Sequence, residues 1–161
     1  MRRRLHLVVL RVFGRLPQRV QTFIVHRVSP SYSAGSLVVV VDAGRVLLVS
    51  HPYKAGWGLP GGITKRGEAS DETAHRELRE EVGLAVVLCQ PALAAADPVE
   101  RKVDVLYAAR LAAGVVAADA QPMTPEITEC RWFPLADLPL VQKIVPMAIS
   151  RLQAVGLVPV A

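Results

Sequence analysis

The sequence predicts a mixed α/β domain preceded by a basic helical segment. Three observations carry that prediction. Apolar runs of strand length stand before, between and after one patterned helix at 71–82, and no regular strand–helix–strand alternation runs through the chain. The positive charge is gathered at the start. The chain has 161 residues, enough for one domain with a core, since roughly 68–70% of the unfolded surface is buried at this size. Hydrophobic residues make up 52% and charged residues 20%, which excludes the disordered class. Aromatics are only 5%, so the core is expected to be Val, Leu and Ala.

Residues 1–30 form the first expected unit and 31–161 the second. The first carries seven arginines and no acid, whereas the rest of the chain carries 12 basic and 14 acidic side chains. Leu5, Val9, Val12, Leu16, Val20 and Phe23 recur at helical spacing, with Arg4, Arg11, Arg15 and Arg19 on a neighbouring face. Pro17 is expected to split this stretch into two helices and to open the second. The start resembles a secretory signal, but Arg11 cuts the apolar run short and no small-residue cleavage site follows. It is read as retained, and the protein as cytoplasmic. Packing on the domain or on a second protomer as a homodimer, an anionic membrane surface, and nucleic acid or a phosphate-rich substrate are the three readings of this segment. Its apolar stripe favours the first two, and no specific nucleic-acid partner is expected. Cys89 and Cys130 stand far apart and are expected to be free thiols.

Residues 29–35 read as a linker. Residues 36–42 and 45–51 read as strands around an Ala43-Gly44 turn. The helix at 71–82 has Ser70 as its expected N-cap and Gly83 just past its end. Residues 85–96 and 102–113 each read as one strand, and 127–135 as a short last strand. A closing helix spans 141–155, with Pro146 unfavourable in its interior.

The chemistry lies between Gly56 and Leu84. The GWGLPG run fits a dinucleotide loop only superficially. Residues 63–67 separate its last glycines from the helix, and Glu80 and Glu81 lie inside a helix rather than at the end of a strand. No Gly-Lys-Ser/Thr occurs, so a phosphate loop of that kind is excluded. On a helix, Glu77, Glu80 and Glu81 span roughly 100° of arc, opposite the stripe of Ala74, Leu78 and Val82. Like charges at i,i+4 near a helix C-terminus are unfavourable by about 0.3–1 kcal/mol each. Arg76 and Arg79 offset part of this, with Arg76 placed away from the cluster's centre. A divalent cation resolves the conflict, and the alternative is a solvated acidic face.

The order Gly62, five residues, Glu68, seven residues, then Arg76-Glu77-Leu78-x-Glu80-Glu81-x-Gly83-Leu84 resembles the Nudix box at all nine specified positions. Trp57 to Gly61 also resembles the approach to that box. The resemblance implies a Nudix-type α/β/α sandwich with a mixed sheet. It implies hydrolysis of a nucleoside diphosphate linked to another moiety, by water attack at phosphorus with Mg²⁺ or Mn²⁺. In its terms Glu77, Glu81 and the Gly61 carbonyl hold metal, Glu80 is a ligand or base, and Glu68 and Arg76 pair to tie loop to helix. Glu126, ahead of the last strand, is the expected base, and Glu129 the lesser candidate.

Which substrate is taken stays open among ADP-ribose-like compounds, nucleotide sugars and nucleoside triphosphates. Pro98 falls near the position of a proline common in ADP-ribose hydrolases. Tyr107 is too far on for the diadenosine polyphosphate marker, and the CoA and NADH signatures are absent. Tyr53 and Trp57 are the expected stacking residues, with Tyr107, Trp132 and Phe133 as further aromatics. The four histidines show neither metal spacing nor a nucleophile partner. The alternative function is a catalytically silent Nudix domain that senses nucleotides; the complete set of box glutamates argues against it.

Overall fold

The computed structural model describes residues 10–29 and 31–160. The chain divides after Tyr32 into two units. In the first, residues 10–15 are helical and α1 spans Gln18–Val28. Pro17 stands immediately before α1 rather than as its first residue. The expectation for residues 4–9 lies outside the described residues.

The second unit contains β1 (Ser33–Asp42), β2 (Arg45–Ser50), β3 (Gly61–Ile63), α2 (Ser70–Val82), β4 (Val86–Leu88), β5 (Leu93–Asp97), β6 (Lys102–Leu111), β7 (Glu129–Pro134) and α3 (Ile144–Ala154). The strands run in the order β4-β6-β1-β2-β7, with β3 on β1 and β5 on β6. β1 and β6 pair in parallel from Ser33↔Lys102 to Val40↔Ala109, and every other strand pair is antiparallel.

The strand alternation of β1 explains the layers. Leu37 and Val39 point into one core with Val145, Ala148, Ile149 and Leu152 of α3. Val38 and Val40 point into the other with Ala74, Leu78 and Val82 of α2. A helix therefore covers each face of a mixed sheet, the α/β/α sandwich that the sequence implied. These strands are apolar on both faces, which is why they read as continuous Val/Leu runs.

Four local readings differ. The stretch 85–96 is two strands, because Pro91 has no N–H to give the ladder and the chain breaks there. The linker is shorter than expected: Ser33–Gly35 already pairs with Lys102–Asp104. The helix α2 is capped at Ala69, whose N–H donates to Glu72 at 2.8 Å, while the Ser70 hydroxyl bonds Tyr107. α3 starts at Ile144, so Pro146 falls in the first turn, where its missing N–H has no helical partner to lose. Gly83 ends α2 in the left-handed conformation at φ 72°, as its position suggested.

Leu78 is fully buried between α2 and the sheet. Leu78→Ala is expected to cost about 2–5 kcal/mol of unfolding free energy. A loss under about 1 kcal/mol in urea titration would mean that α2 is not held by this face.

Candidate functional site

The site grows from the junction between β3 and α2. Gly61 lies opposite Leu37, but its N–H does not serve the ladder; it donates to Glu81 Oε2 at 2.8 Å. Cross-strand bonds at Val38 N–H to Pro60 and Thr64 N–H to Ala34 flank it one and three residues away in β1 register. Gly61 is therefore at a position that faces off the sheet, and its carbonyl is left free of β1 by the same alternation. Its φ of 141° favours glycine, and a Cβ would run into the Ser36 carbonyl. At Gly62 a Cβ would stand 2.5 Å from Glu77 Oε1. The two glycines thus let two carboxylates of α2 lie against the backbone of β3.

A second network ties the intervening loop to the helix. Arg76 grips Glu68 bidentately, Nε to Oε1 at 2.6 Å and Nη2 to Oε2 at 2.9 Å. Glu68 also accepts from Lys65 N–H and Thr73 Oγ1. The Arg76 hydrogen bonds, then the Lys65 N–H, hold the Glu68 carboxyl down at about 2. Arg76 does not point away from the glutamate cluster. Its Nη1 contacts Glu77 at 2.6 Å and Glu80 at 3.1 Å, and its own pKa is pushed up, chiefly by Glu68. Side-chain length explains the difference: a guanidinium in the middle of three neighbouring acids can reach all of them.

Glu81 is the exceptional group. It is 7% exposed, and its carboxyl is pushed up to about 7. Burial is the largest cause; the Gly61 hydrogen bond opposes it, and Glu77 and Glu126 add like-charge repulsion. Glu81 was expected with the solvent-side acids. It is buried because 81 follows 77 by one turn while leaning toward Leu78 and Val82.

An open cleft of about 1290 Å³ brings Glu77, Glu81, Glu126, Gly61, Gly62 and Tyr53 together. Glu80 is not among its lining residues. It is half-exposed on the outer flank of α2, tied to Arg76 and to Lys65 at 3.8 Å. Trp57 does not line the cleft either; its ring meets Phe133 edge-on at 4.9 Å within the α3-side core. Tyr107 is buried and Trp132 donates its Nε1–H to Ala117. Glu129 pairs with Arg131 at 2.9 Å.

Sequence reasoning gave no role to several charged or polar cleft residues, among them His51, Lys54, Lys102 and Asp104. His51 is buried, and its pKa is lowered by burial first and by Lys54 second, with Glu126 opposing. The signal available for Asp104 was an acid inside an apolar strand, KVDVLYAARL.

Among the described residues no three His, Cys, Asp or Glu side chains are gathered closely enough to hold a metal ion as they stand. The chemistry of the donors nonetheless fits Mg²⁺ or Mn²⁺. Glu77, Glu81, Glu126 and the Gly61 carbonyl are hard oxygen donors on one cleft, and the raised Glu81 carboxyl is short of positive charge. Arg76 takes the place of a counter-ion for Glu77 in the present arrangement.

Glu81 has a consequence for stability. Its folded pKa of about 7 exceeds the ordinary 4.5, so the folded state binds more protons between those values. Metal-free protein should lose up to about 3 kcal/mol on this account as pH rises from 4.5 to 7. Glu81→Gln should flatten that slope and be the more stable form at pH 8. Parallel slopes for the two proteins in denaturant titrations would contradict the assignment. Glu68 works oppositely: its contribution is present above 4.5 and is lost as pH falls toward 2.

A NUDIX domain family model matches residues 31–151. The fold resembles the crystal structure of a MutT NUDIX hydrolase from Burkholderia pseudomallei, with 27% identity, a TM-score of 0.61, and coverage of 73% of this chain and 95% of that one. An ADP-ribose pyrophosphatase from Streptococcus suis is also 27% identical, with a TM-score of 0.57 over 70% of this chain and 80% of that one. Among curated proteins, an NAD-capped RNA hydrolase from Pseudomonas syringae pv. tomato is 29% identical over 115 residues, 70% of this chain. The chain spans about two fifths of the length of the curated relatives it matches. The family match covers most of the chain, over the same residues that fold into the sandwich and carry the box: this protein belongs to the Nudix hydrolase family.

Proposed function

We propose that this protein hydrolyses the pyrophosphate bond of a nucleoside diphosphate linked to another moiety, with Mg²⁺ or Mn²⁺ held by Glu77, Glu81 and the Gly61 carbonyl. The observation that carries the reading is the buried Glu81 carboxyl, pushed up to about 7 and held to Gly61 within a cleft that also contains Glu77 and Glu126. Burying a carboxylate is costly unless a cation or donor compensates it. Six acids and three lysines line the cleft, so a free pyrophosphate would be repelled unless cations accompany it. The bound metal supplies charge neutralisation at the phosphoryl oxygens and orientation of the attacking water.

The chain's own residues divide the remaining work. Glu126 takes the proton from the attacking water as general base. Lys54 and His51, which line the cleft with Glu81 and Glu126, are the groups assigned to the phosphate end. Arg76 and Glu68 keep the loop and α2 in register, and Glu80 holds Arg76 from the outer side. Tyr53, exposed on the cleft, offers a ring for stacking, a role Trp57 is less well placed to serve. ADP-ribose-like compounds, nucleotide sugars and nucleoside triphosphates are the substrate candidates. Cytoplasmic placement belongs to the same proposal. No described helix is long and apolar enough to cross a membrane. A second copy of the chain or an anionic surface remains the proposed contact of residues 1–30.

A Mg²⁺-dependent panel of ADP-ribose, nucleotide sugars, dinucleoside polyphosphates and nucleoside triphosphates tests the reading. Turnover of at least one class is expected, and Glu126→Gln should lower it at least tenfold with an unchanged melting temperature. No product from folded wild-type protein would favour the nucleotide-sensing alternative. An unimpaired Glu126→Gln would move the base elsewhere.

A further inference from the structure

Asp104 is a buried carboxylate that the chemistry above does not use. It is 7% exposed on β6 and lines the same cleft. The strand registers set it in a row across four strands: Ala95 of β5, Asp104, Gly35 of β1 and Ile63 of β3. Its neighbours in that row are the two smallest residues available. A Cβ on Gly35 would stand 2.6 Å from Asp104 Oδ1 and 2.8 Å from the Gly62 carbonyl oxygen. The carboxylate therefore leans across β1 toward the Gly61-Gly62 edge, in space that only a glycine leaves open. Lys102 Nζ approaches Oδ1 at 3.0 Å, but without hydrogen-bond directionality, and Oδ1 has no hydrogen-bond partner. A buried acceptor left in this condition costs free energy, and a ligand's donors would recover it.

We propose that Asp104 is the acceptor for the ribose of the bound nucleotide, taking hydrogen bonds from the vicinal 2′- and 3′-hydroxyls, with Lys102 as its positioning residue. The assignment rests on the cleft being a nucleotide site. Phosphate offers no donor and is repelled by a carboxylate, so Asp104 does not serve the pyrophosphate. The ribose is the donor-bearing group joined directly to the phosphate, and the carboxylate leans toward the Gly61-Gly62 edge, whose Gly61 carbonyl is the proposed metal ligand. A cis-diol presents two donors to the two oxygens of one carboxylate, the pairing by which acids select ribose in dinucleotide sites of another fold. The base then extends over Ala95, the small residue beside Asp104 on the same face of the sheet. Asp104 thus sets specificity for ribo- over deoxynucleotides.

The test is equilibrium binding, in Mg²⁺, of α,β-methylene ATP and its 2′,3′-dideoxy counterpart, neither of which can be cleaved at that bond. Wild-type protein should bind the ribo form about tenfold more tightly, the effect of hydrogen bonds to a charged acceptor. Asp104→Asn should bring the ratio to within about twofold by weakening the ribo form alone. Lys102→Met should lower the ratio partway, and it carries the test if Asp104→Asn does not fold. General damage to the fold would weaken both ligands and leave the ratio alone. An unchanged ratio in the variants, or no ribo preference in wild type, overturns the assignment. A ratio that depends on Asp104 without turnover of any substrate would remove the hydrolase reading and leave the ribose site standing. Turnover with a ratio indifferent to Asp104 would do the reverse.

Discussion

The hydrogen bond from Gly61 N–H to the Glu81 carboxylate joins everything else in the site. It is one contact of 2.8 Å, yet it fixes the distance between a three-residue strand and the last turn of a helix. The strand can approach so closely because residues 61 and 62 have no side chains. The helix can present Glu81 inward because Ala74, Leu78 and Val82 anchor the same side of α2 in the core. The result is an acid held where its charge is unfavourable, a condition typical of functional sites rather than of stable cores. Stability is given up at this point and supplied by the two apolar layers on either side of the sheet.

The arginine beside it balances the remaining acids. Arg76 reaches Glu68, Glu77 and Glu80 together and also touches the Ile63 carbonyl. It therefore locks the loop while neutralising the outer part of the cluster. Glu81 is excluded from this arrangement, and its buried carboxyl is the group with most to gain from an added cation. The two acids that α2 gives the cleft are thus in different electrostatic situations: Glu77 is already paired with Arg76, and Glu81 has no cationic partner among the described residues.

Much of this was legible in the sequence, for identifiable reasons. The helix at 71–82 is bounded by a left-handed glycine and carries an apolar stripe, so its span and faces followed from periodicity. The box spacing picked out the acids, and the resemblance of the stretch before it picked out Gly61. What spacing could not show was direction. A 3.6-residue period groups Glu77, Glu80 and Glu81, but only packing decides that Glu81 turns in and Glu80 out. Arg76 was misplaced because its reach, not its Cα position, determines its partners. Asp104 and Lys102 were passed over because their role depends on which strand β6 joins. That pairing is a parallel one between segments some seventy residues apart, beyond anything local pattern contains. Trp57 read as a stacking residue for the converse reason. Its proximity in sequence to the glycines does not bring its ring to the cleft.

The account turns on Glu81 being a buried acid that a divalent cation can relieve. Carbon-13 NMR of the glutamate carboxyls, assigned through Glu81→Gln and followed across pH with and without Mg²⁺, measures this directly. Without metal the Glu81 resonance should titrate near 7, and with saturating Mg²⁺ its midpoint should fall below the ordinary 4.5. A metal-free midpoint near 4.5, or one that Mg²⁺ leaves in place, would contradict it.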